Sequence, residues 1–263
     1  MNKIKKFWDN RVDKYGHTGW SDSSIYAYDQ QARLMAVEKI LQLMALNGSI
    51  ALDFGTGVGD FADLLSRYFN KVVAFDVSES VIVKAKKRYG RVKNIQFFSG
   101  GSIENVPVSN KALDLVLSVT VLDHIIDDSE LARTIKHFQG ILKDNGTLII
   151  FEYALDHKKQ KTQYQRFMEL EEWRSMFLES GFSLNKYYNF YHPIEHPCDS
   201  YLSYRNSFLV KALNMFSKYT ASHLASGYLN ELARRYLKGK RDFLIEDNKE
   251  SSPIKIMIFK RNC

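Results

Sequence analysis

Cysteine and long apolar runs are the two things this 263-residue chain has least of. Its two cysteines, Cys198 and Cys263, are too few and too far apart in sequence to suggest a disulfide framework. No apolar stretch approaches the roughly 20 residues needed to span a bilayer. The opening residues, MNKIKKFWDN, are basic but do not lead into the apolar segment of a secretory signal. Internal repeats and low-complexity tracts are missing too. Together these set the expectation of a protein in a reducing, cytoplasmic setting. What is present is ordinary for a globular chain: 45% hydrophobic and 25% charged residues. The length allows one substantial core and an appended subdomain.

Charge is abundant but badly distributed. Residues 205–241 carry eight Lys/Arg (Arg205, Lys211, Lys218, Arg234, Arg235, Lys238, Lys240, Arg241) against the single acid Glu231. That segment accounts for the whole net charge of +7, and the remainder is neutral. An anionic partner, if there is one, is expected there.

From residue 49 the chain alternates short apolar runs with helical patterns. SIALDF, KVVAFD, NIQFFSG, ALDLVLSV, GTLIIFEYA and FSLNKYYNFYH read as strands, and PIKIMIFKRN as a last one. FADLLSRYF, ESVIVKAKKRYG, SELARTIKHFQGILK and FMELEEWRSMFLESG read as helices between them. Apolar strands separated by helices argue for an α/β fold, its parallel sheet covered on both faces. Right-handed connections then place a ligand at the carboxyl ends of the strands. Ahead of this core, FWDNRVDKYG reads as one helix. A second is marked by Tyr28, Gln31, Leu34, Met35, Glu38, Leu41 and Met44, with Asn47-Gly48 as its expected left-handed stop.

The segment Asp53-Phe54-Gly55-Thr56-Gly57-Val58-Gly59 joins a strand to a helix, and Asp76 ends the next strand. Glycines there allow a sharp turn and a close approach of backbone to ligand. A carboxylate at Asp76 can accept both hydroxyls of a ribose. The spacing is G-x-G-x-G rather than the dinucleotide G-x-G-x-x-G, and Asp53 precedes it. A carboxylate repels a pyrophosphate but receives an ammonium. S-adenosylmethionine offers an ammonium and a sulfonium and no phosphate, so the acid discriminates against NAD.

Over residues 49–153, and most specifically in ALDFGTGVGDFADLL, the chain resembles the class I methyltransferases, in particular their small-molecule branch known as type 11. The resemblance implies a Rossmann-like three-layer sandwich with a seven-stranded, mostly parallel sheet. An N-terminal helical lid (1–48) precedes the cofactor-binding core (49–192). A basic helical insertion (193–250) precedes the final strand (251–263). It implies S-adenosylmethionine as cofactor, S-adenosylhomocysteine as product, and no metal. Asp53, Gly55, Thr56, Gly57 and Gly59 would surround the methionine moiety and Asp76 the ribose. Val77, Ser102 and Ile103 would flank the adenine, with Ser102 replacing the family's usual Asp. Val119 and Thr120, after the fourth strand, would line the cofactor.

For chemistry, Asp123-His124 stands where strand four ends and Glu152 where strand five ends. In some sugar methyltransferases of this family a histidine at the first position is a base, supported by a carboxylate at the second. His124 as base with Glu152 in support is therefore expected for a hydroxyl acceptor, with Asp123 a further catalytic candidate; packing and loop capping are the plain alternatives. His17 and Trp20, near Tyr15 and Tyr26, form an aromatic loop suited to covering a sulfonium, with His17 a further catalytic candidate. The stretch His192 to Asp199 holds metal-capable side chains, but its two prolines prevent a helical ligand face, so a rigid elbow is expected.

The basic insertion has three readings: a cap that attracts an anionic acceptor, a surface on anionic lipid through 205–241, or a packing element such as a homodimer contact. The acceptor expected is a small molecule, a sugar or a glycan terminus, anionic or lipid-linked, methylated on oxygen. Nucleic-acid methylation is a competing reading. No Asn/Asp-Pro-Pro-Tyr/Phe motif follows strand four, which has Thr120-Val121-Leu122-Asp123 instead, so nucleic acid is not the expected partner. A non-catalytic cofactor-binding regulatory partner is the third possibility, since binding and turnover are separable.

Overall fold

The computed structural model describes residues 2–19, 23–157, 160–190, 244–245 and 252–262. Five parallel strands make one side of the sheet: β1 (Gly48–Phe54), β2 (Phe69–Asp76), β3 (Ile95–Ser99), β4 (Leu113–Val119) and β5 (Leu142–Leu155). β7 (Phe182–Phe190) and β9 (Ile254–Arg261) extend it, and β9 runs antiparallel to both its neighbours. The order is β3-β2-β1-β4-β5-β9-β7-β8. These are the seven strands expected, in a mostly parallel Rossmann-like sandwich. Two dipeptide strands are additional: β6 (Met168–Glu169) against β5, and β8 (Leu244–Ile245) against β7. The latter places strand inside 193–250, a stretch whose sequence pattern is helical.

Each sheet face is covered, which is why these strands need no polar side. On one face Ala51, Val72, Ala74, Leu115, Leu117, Ile149, Phe151, Ile256 and Ile258 pack under α2 (Ser23–Leu43), α3 (Asp60–Leu65) and α4 (Glu79–Tyr89). On the other, Leu52, Val73, Val116, Leu148, Ile150, Met257 and Phe259 pack under α5 (Asp128–Ile141) and α6 (Leu170–Glu179). Burial of this apolar area is the main force holding the layers. Strand order reverses between β2 and β4 on either side of β1, so a crevice opens at their carboxyl ends.

Two local expectations are corrected. The buried stripe of α2 is Ala32, Arg33, Ala36, Val37, Ile40 and Leu41, turned from the face marked by Leu34, Met35, Glu38 and Met44. Small Ala32 and Ala36 let the helix lie close to its neighbours, and Leu34 and Met35 pack at the stripe's edge. The helix also stops earlier than Gly48. Ala45 takes the left-handed conformation (φ 49), with its N–H donating to Gln42 O at 3.1 Å and that of Leu46 to Leu41 O at 2.8 Å. This is the Schellman pattern, made here on alanine. Gly48 instead opens β1, where a Cβ would strike Asp114.

Candidate functional site

The glycine loop is shaped by three left-handed residues, Gly55 (φ 76), Gly57 (φ 54) and Gly59 (φ 93). The N–H groups of Gly55 and Thr56 both donate to Phe75 O, at 2.8 and 2.9 Å, tying the loop to the end of β2. A Cβ at Gly55 would lie 2.2 Å from Val121, and one at Gly59 would press on the Tyr89 ring. The Asp76 carboxylate accepts N–H bonds from Gly57 (3.1 Å) and Ser78 (3.0 Å). Thr56 donates its hydroxyl to Asp53 at 2.6 Å. Burial is the largest influence on both acids, raising Asp53 to about 7 and Asp76 to about 6. Asp53, Thr56, Gly55, Gly57, Gly59 and Asp76 are thus brought together.

Val77 is half-buried beside them. Ile103 is buried in the adjoining core, and Ser102 heads its short turn, its N–H donating to Asn105 Oδ1 at 3.1 Å. Val119 ends β4 and is nearly buried. The cradle fits S-adenosylmethionine on three counts: glycines where a side chain would fill the loop, a carboxylate at the end of β2, and a buried acid under the turn.

The second group lies at the ends of β4 and β5. Glu152 is fully buried and accepts the N–H groups of Val121 and Leu122, each at 2.9 Å. It holds the chain leaving β4, while its other oxygen has no partner among the described residues. Burial, then the neighbouring Asp123 carboxylate, push Glu152 well above the usual carboxylate range. Lys255, its cross-strand neighbour, gives its ammonium to the carbonyls of Ala154 and Ser252.

Asp123, also buried, accepts from Gln165 Nε2 at 2.6 Å through Oδ2; its Oδ1 makes no hydrogen bond among the described residues. That Oδ1 lies 3.6 Å from His124 Nε2. His124 Nδ1 sits 2.7 Å from Tyr164 O. A carbonyl only accepts, so Nδ1 carries a hydrogen and Nε2 is the nitrogen that faces Asp123. Asp123, His124 and Glu152 are neighbours, but Glu152 contacts the backbone before His124 rather than its ring.

His17 belongs elsewhere. It stacks on Tyr26 (3.6 Å, 3° between planes), beside the glycine loop. Tyr26, Gln30, Tyr89 and Arg88 all converge on Asp60, at the start of α3. Trp20, His192, His196, Cys198 and the basic residues of 205–241 lie outside the described residues. Among the described residues no group of three metal-capable side chains forms. No described helix is long and apolar enough to cross a membrane.

Several contributors carried no sequence signal. In α1 (Asn2–Tyr15), Trp8 meets the His124 ring edge-on at 4.9 Å and Phe7 stacks on Tyr164 at 4.7 Å. Asp9 accepts the Ser78 hydroxyl, and Val12 packs with Val58 and Val81. α1 therefore lies across both halves of the crevice. The loop 161–166 clamps the turn after β4: Arg166 donates N–H to Asp123 O and Nε to Ile125 O, each at 2.7 Å. An aromatic doublet in α1 was readable as such; a backbone carbonyl as histidine anchor was not.

The fold and cradle define a class: a Rossmann-like domain that binds an adenosyl amino acid. Comparison with known proteins agrees. Residues 52–150 match the family described as a methyltransferase domain. Phosphoethanolamine N-methyltransferase 3 of Arabidopsis thaliana is 27% identical over 60% of this chain, which spans about a third (32%) of that protein's length. Malonyl-[acyl-carrier protein] O-methyltransferase of Hamiltonella defensa is 24% identical over 66% of both chains. The solved structure of Haemonchus contortus phosphoethanolamine N-methyltransferase 2 with S-adenosylmethionine superposes with a TM-score of 0.65 at 16% identity, covering 99% of this chain and 60% of that one. Residues 52–150 thus carry a methyltransferase domain, set in a Rossmann-like fold similar to that of S-adenosylmethionine-dependent methyltransferases.

Proposed function

We propose that this protein methylates a small-molecule, sugar or glycan-terminal acceptor on oxygen, with His124 as general base. Its cofactor would be held by Asp53 and the glycines at the methionine end, by Asp76 at the ribose, and by Val77, Ser102, Ile103 and Val119 around the adenine. S-adenosylmethionine supplies the electrophilic methyl group. The observation that carries the reading is the pinned imidazole: with Nδ1–H on Tyr164 O, Nε2 is the free basic nitrogen at the ligand end of the sheet. It takes the acceptor's hydroxyl proton, and the Asp123 carboxylate, 3.6 Å away, stabilises the charge that results.

α1 and residues 16–19 act as a lid over the cradle, supported by the Asp9–Ser78 bond and the Trp8–His124 contact. The segment 193–250 serves as an acceptor cap, the +7 charge of its residues 205–241 drawing an anionic substrate; lipid or homodimer contact is what it does if that fails. A second reading, methylation of an amine, is favoured by the Trp8 ring beside His124, since an indole face suits a cation. Transfer of tritiated methyl to a panel of hydroxyl and amine acceptors tests both. A hydroxyl product lost in His124→Ala supports the first. An amine product that persists in His124→Ala supports the second. Cofactor binding without transfer to any acceptor points to a regulatory partner.

A further inference from the structure

Gly16 (φ 78) ends α1, its N–H donating to Val12 O at 2.9 Å, and turns residues 17–19 along the glycine loop. Thr18 Oγ1 comes within 2.9 Å of where a Cβ on Gly57 would sit. Arg11 fixes this segment by donating Nε to Thr18 O (3.0 Å) and Gly19 O (2.7 Å). His17 is thereby held against Tyr26, itself bonded through its hydroxyl to Asp60 at 3.2 Å, and only 7% of it is exposed.

Neither ring nitrogen of His17 has a hydrogen-bond partner among the described residues. Every imidazole tautomer has one N–H donor and one acceptor, and burying both unmet is costly. Such a group in a packed site is accounted for by a ligand that supplies the bond. The charges around it are Arg11, Arg88 and Asp60. Asp60 is bridged to Arg88 at 3.2 Å, so the balance at His17 is positive and suits an anion. The cradle's other polar elements, Asp53 and Asp76, are acids suited to an ammonium and to hydroxyls. The cofactor's one anionic group is the carboxylate of its amino-acid end, and nothing in the glycine motif answers it.

We propose that His17 is a cofactor-binding residue whose ring N–H donates to the carboxylate of the adenosylmethionine amino-acid end. This rests on the cofactor reading of the cradle and assigns His17 to binding rather than to proton transfer. Burial, followed by Arg11 and Arg88, lowers its pKa to about 4, so at neutral pH it is a donor of fixed charge and a poor base.

His17→Phe keeps a flat ring on Tyr26 and removes both nitrogens. Calorimetry with two probes separates the possibilities: S-adenosylhomocysteine, which has the amino-acid end, and methylthioadenosine, which has the same nucleoside and sulfur without it. The variant is expected to lose about tenfold or more in affinity for the first and nothing for the second. Its ligand-free melting temperature should equal or exceed the wild type's, because an unmet polar group has gone. Equal loss for both probes would make His17 a packing element of the lid and overturn the proposal, as would no loss for either. A much lower melting temperature would show the nitrogens to be partnered already, with the same consequence. If the wild type binds neither probe, it is the cofactor reading that fails.

Discussion

The carboxyl ends of β1 and β2 and those of β4 and β5 each gather buried carboxylates, and they treat them differently. In the first pair Asp76 is met by two backbone N–H groups and Asp53 by a hydroxyl. In the second, one oxygen of Glu152 and one of Asp123 have no hydrogen bond among the described residues. The first half is finished by its own motif and needs only the cofactor. The second is assembled from the turn 121–125, Glu152, the loop 161–166 and α1, and still leaves acceptor oxygens unmet. Unmet buried acids are costly and collect at sites where chemistry is performed. The contrast sets a cradle closed by its own motif beside a group of carboxylates with acceptor oxygens still to offer.

The strongest way to break that contrast is His124→Ala. Turnover is expected to fall roughly 10²–10⁴-fold, with the acidic limb of the pH–rate profile lost. Calorimetric affinity for S-adenosylhomocysteine should stay within twofold of wild type, about the scatter of such measurements. Asp76→Ala should do the reverse, weakening adenosylhomocysteine by about 1.5–3 kcal/mol and sparing turnover at saturating cofactor. If either variant damages both quantities alike, the two halves are not separable.

A third experiment sharpens the comparison through protons. Burial raises Asp53 to about 7, above the 3.8 of an exposed carboxyl, so the ligand-free fold favours its neutral form. Raising the pH from about 4 to 7 therefore costs the empty protein stability, because the carboxyl ionises freely in the unfolded chain while the folded site keeps its proton. A bound ammonium rewards the ionised form. Affinity for adenosylhomocysteine should then rise with pH up to about 7, by at most tenfold per unit, and flatten above it. Asp76, at about 6, adds its share at the lower end. Binding heats measured in buffers of different ionisation enthalpy would report the released proton, and Asp53→Asn should remove the dependence above pH 6. A flat profile in the wild type would mean that Asp53 is already ionised or does not meet the ammonium.

The two halves also differ in how far they could be read beforehand. The seven strands, their helices and the cradle from Asp53 to Asp76 were legible because each rests on neighbours in sequence: apolar runs, left-handed glycines, an acid one strand on. The residues near the acceptor side were legible singly, as Asp123, His124 and Glu152. Their relations were not, since Glu152 acts on backbone N–H groups 30 and 31 residues away and His124 is anchored by a carbonyl 40 residues away. A carbonyl is the same in every residue type, so Tyr164 left no mark in the sequence. The buried stripe of α2 differs from the face its larger apolar residues mark for a related reason: close packing favours Ala32 and Ala36, which carry little hydrophobic signal.

The smallest expected effect comes from the seam between the halves. Val121 touches the position a Cβ on Gly55 would occupy, and Thr120, just before it, is left-handed with φ 52. A β-branched residue rarely adopts that conformation, whose cost is about 1–2 kcal/mol. The turn persists because it is held on both sides: Thr120 N–H donates to Phe151 O at 2.8 Å, and Glu152 takes the next two N–H groups. Thr120→Gly should relieve the strain, while the looser unfolded chain gives back about 0.5–1 kcal/mol. The net gain is about 0–1.5 kcal/mol, a rise of no more than about 6 °C in melting temperature for a domain of this size. Gly55→Ala, across the seam, should lower it, since φ 76 and the 2.2 Å approach to Val121 both oppose a side chain. Adenosylhomocysteine affinity should fall further in the second variant than in the first, because Gly55 shapes the loop itself whereas Thr120 only flanks the cofactor. A clear loss of stability in Thr120→Gly would show that the threonine side chain, and not the turn alone, holds the seam closed.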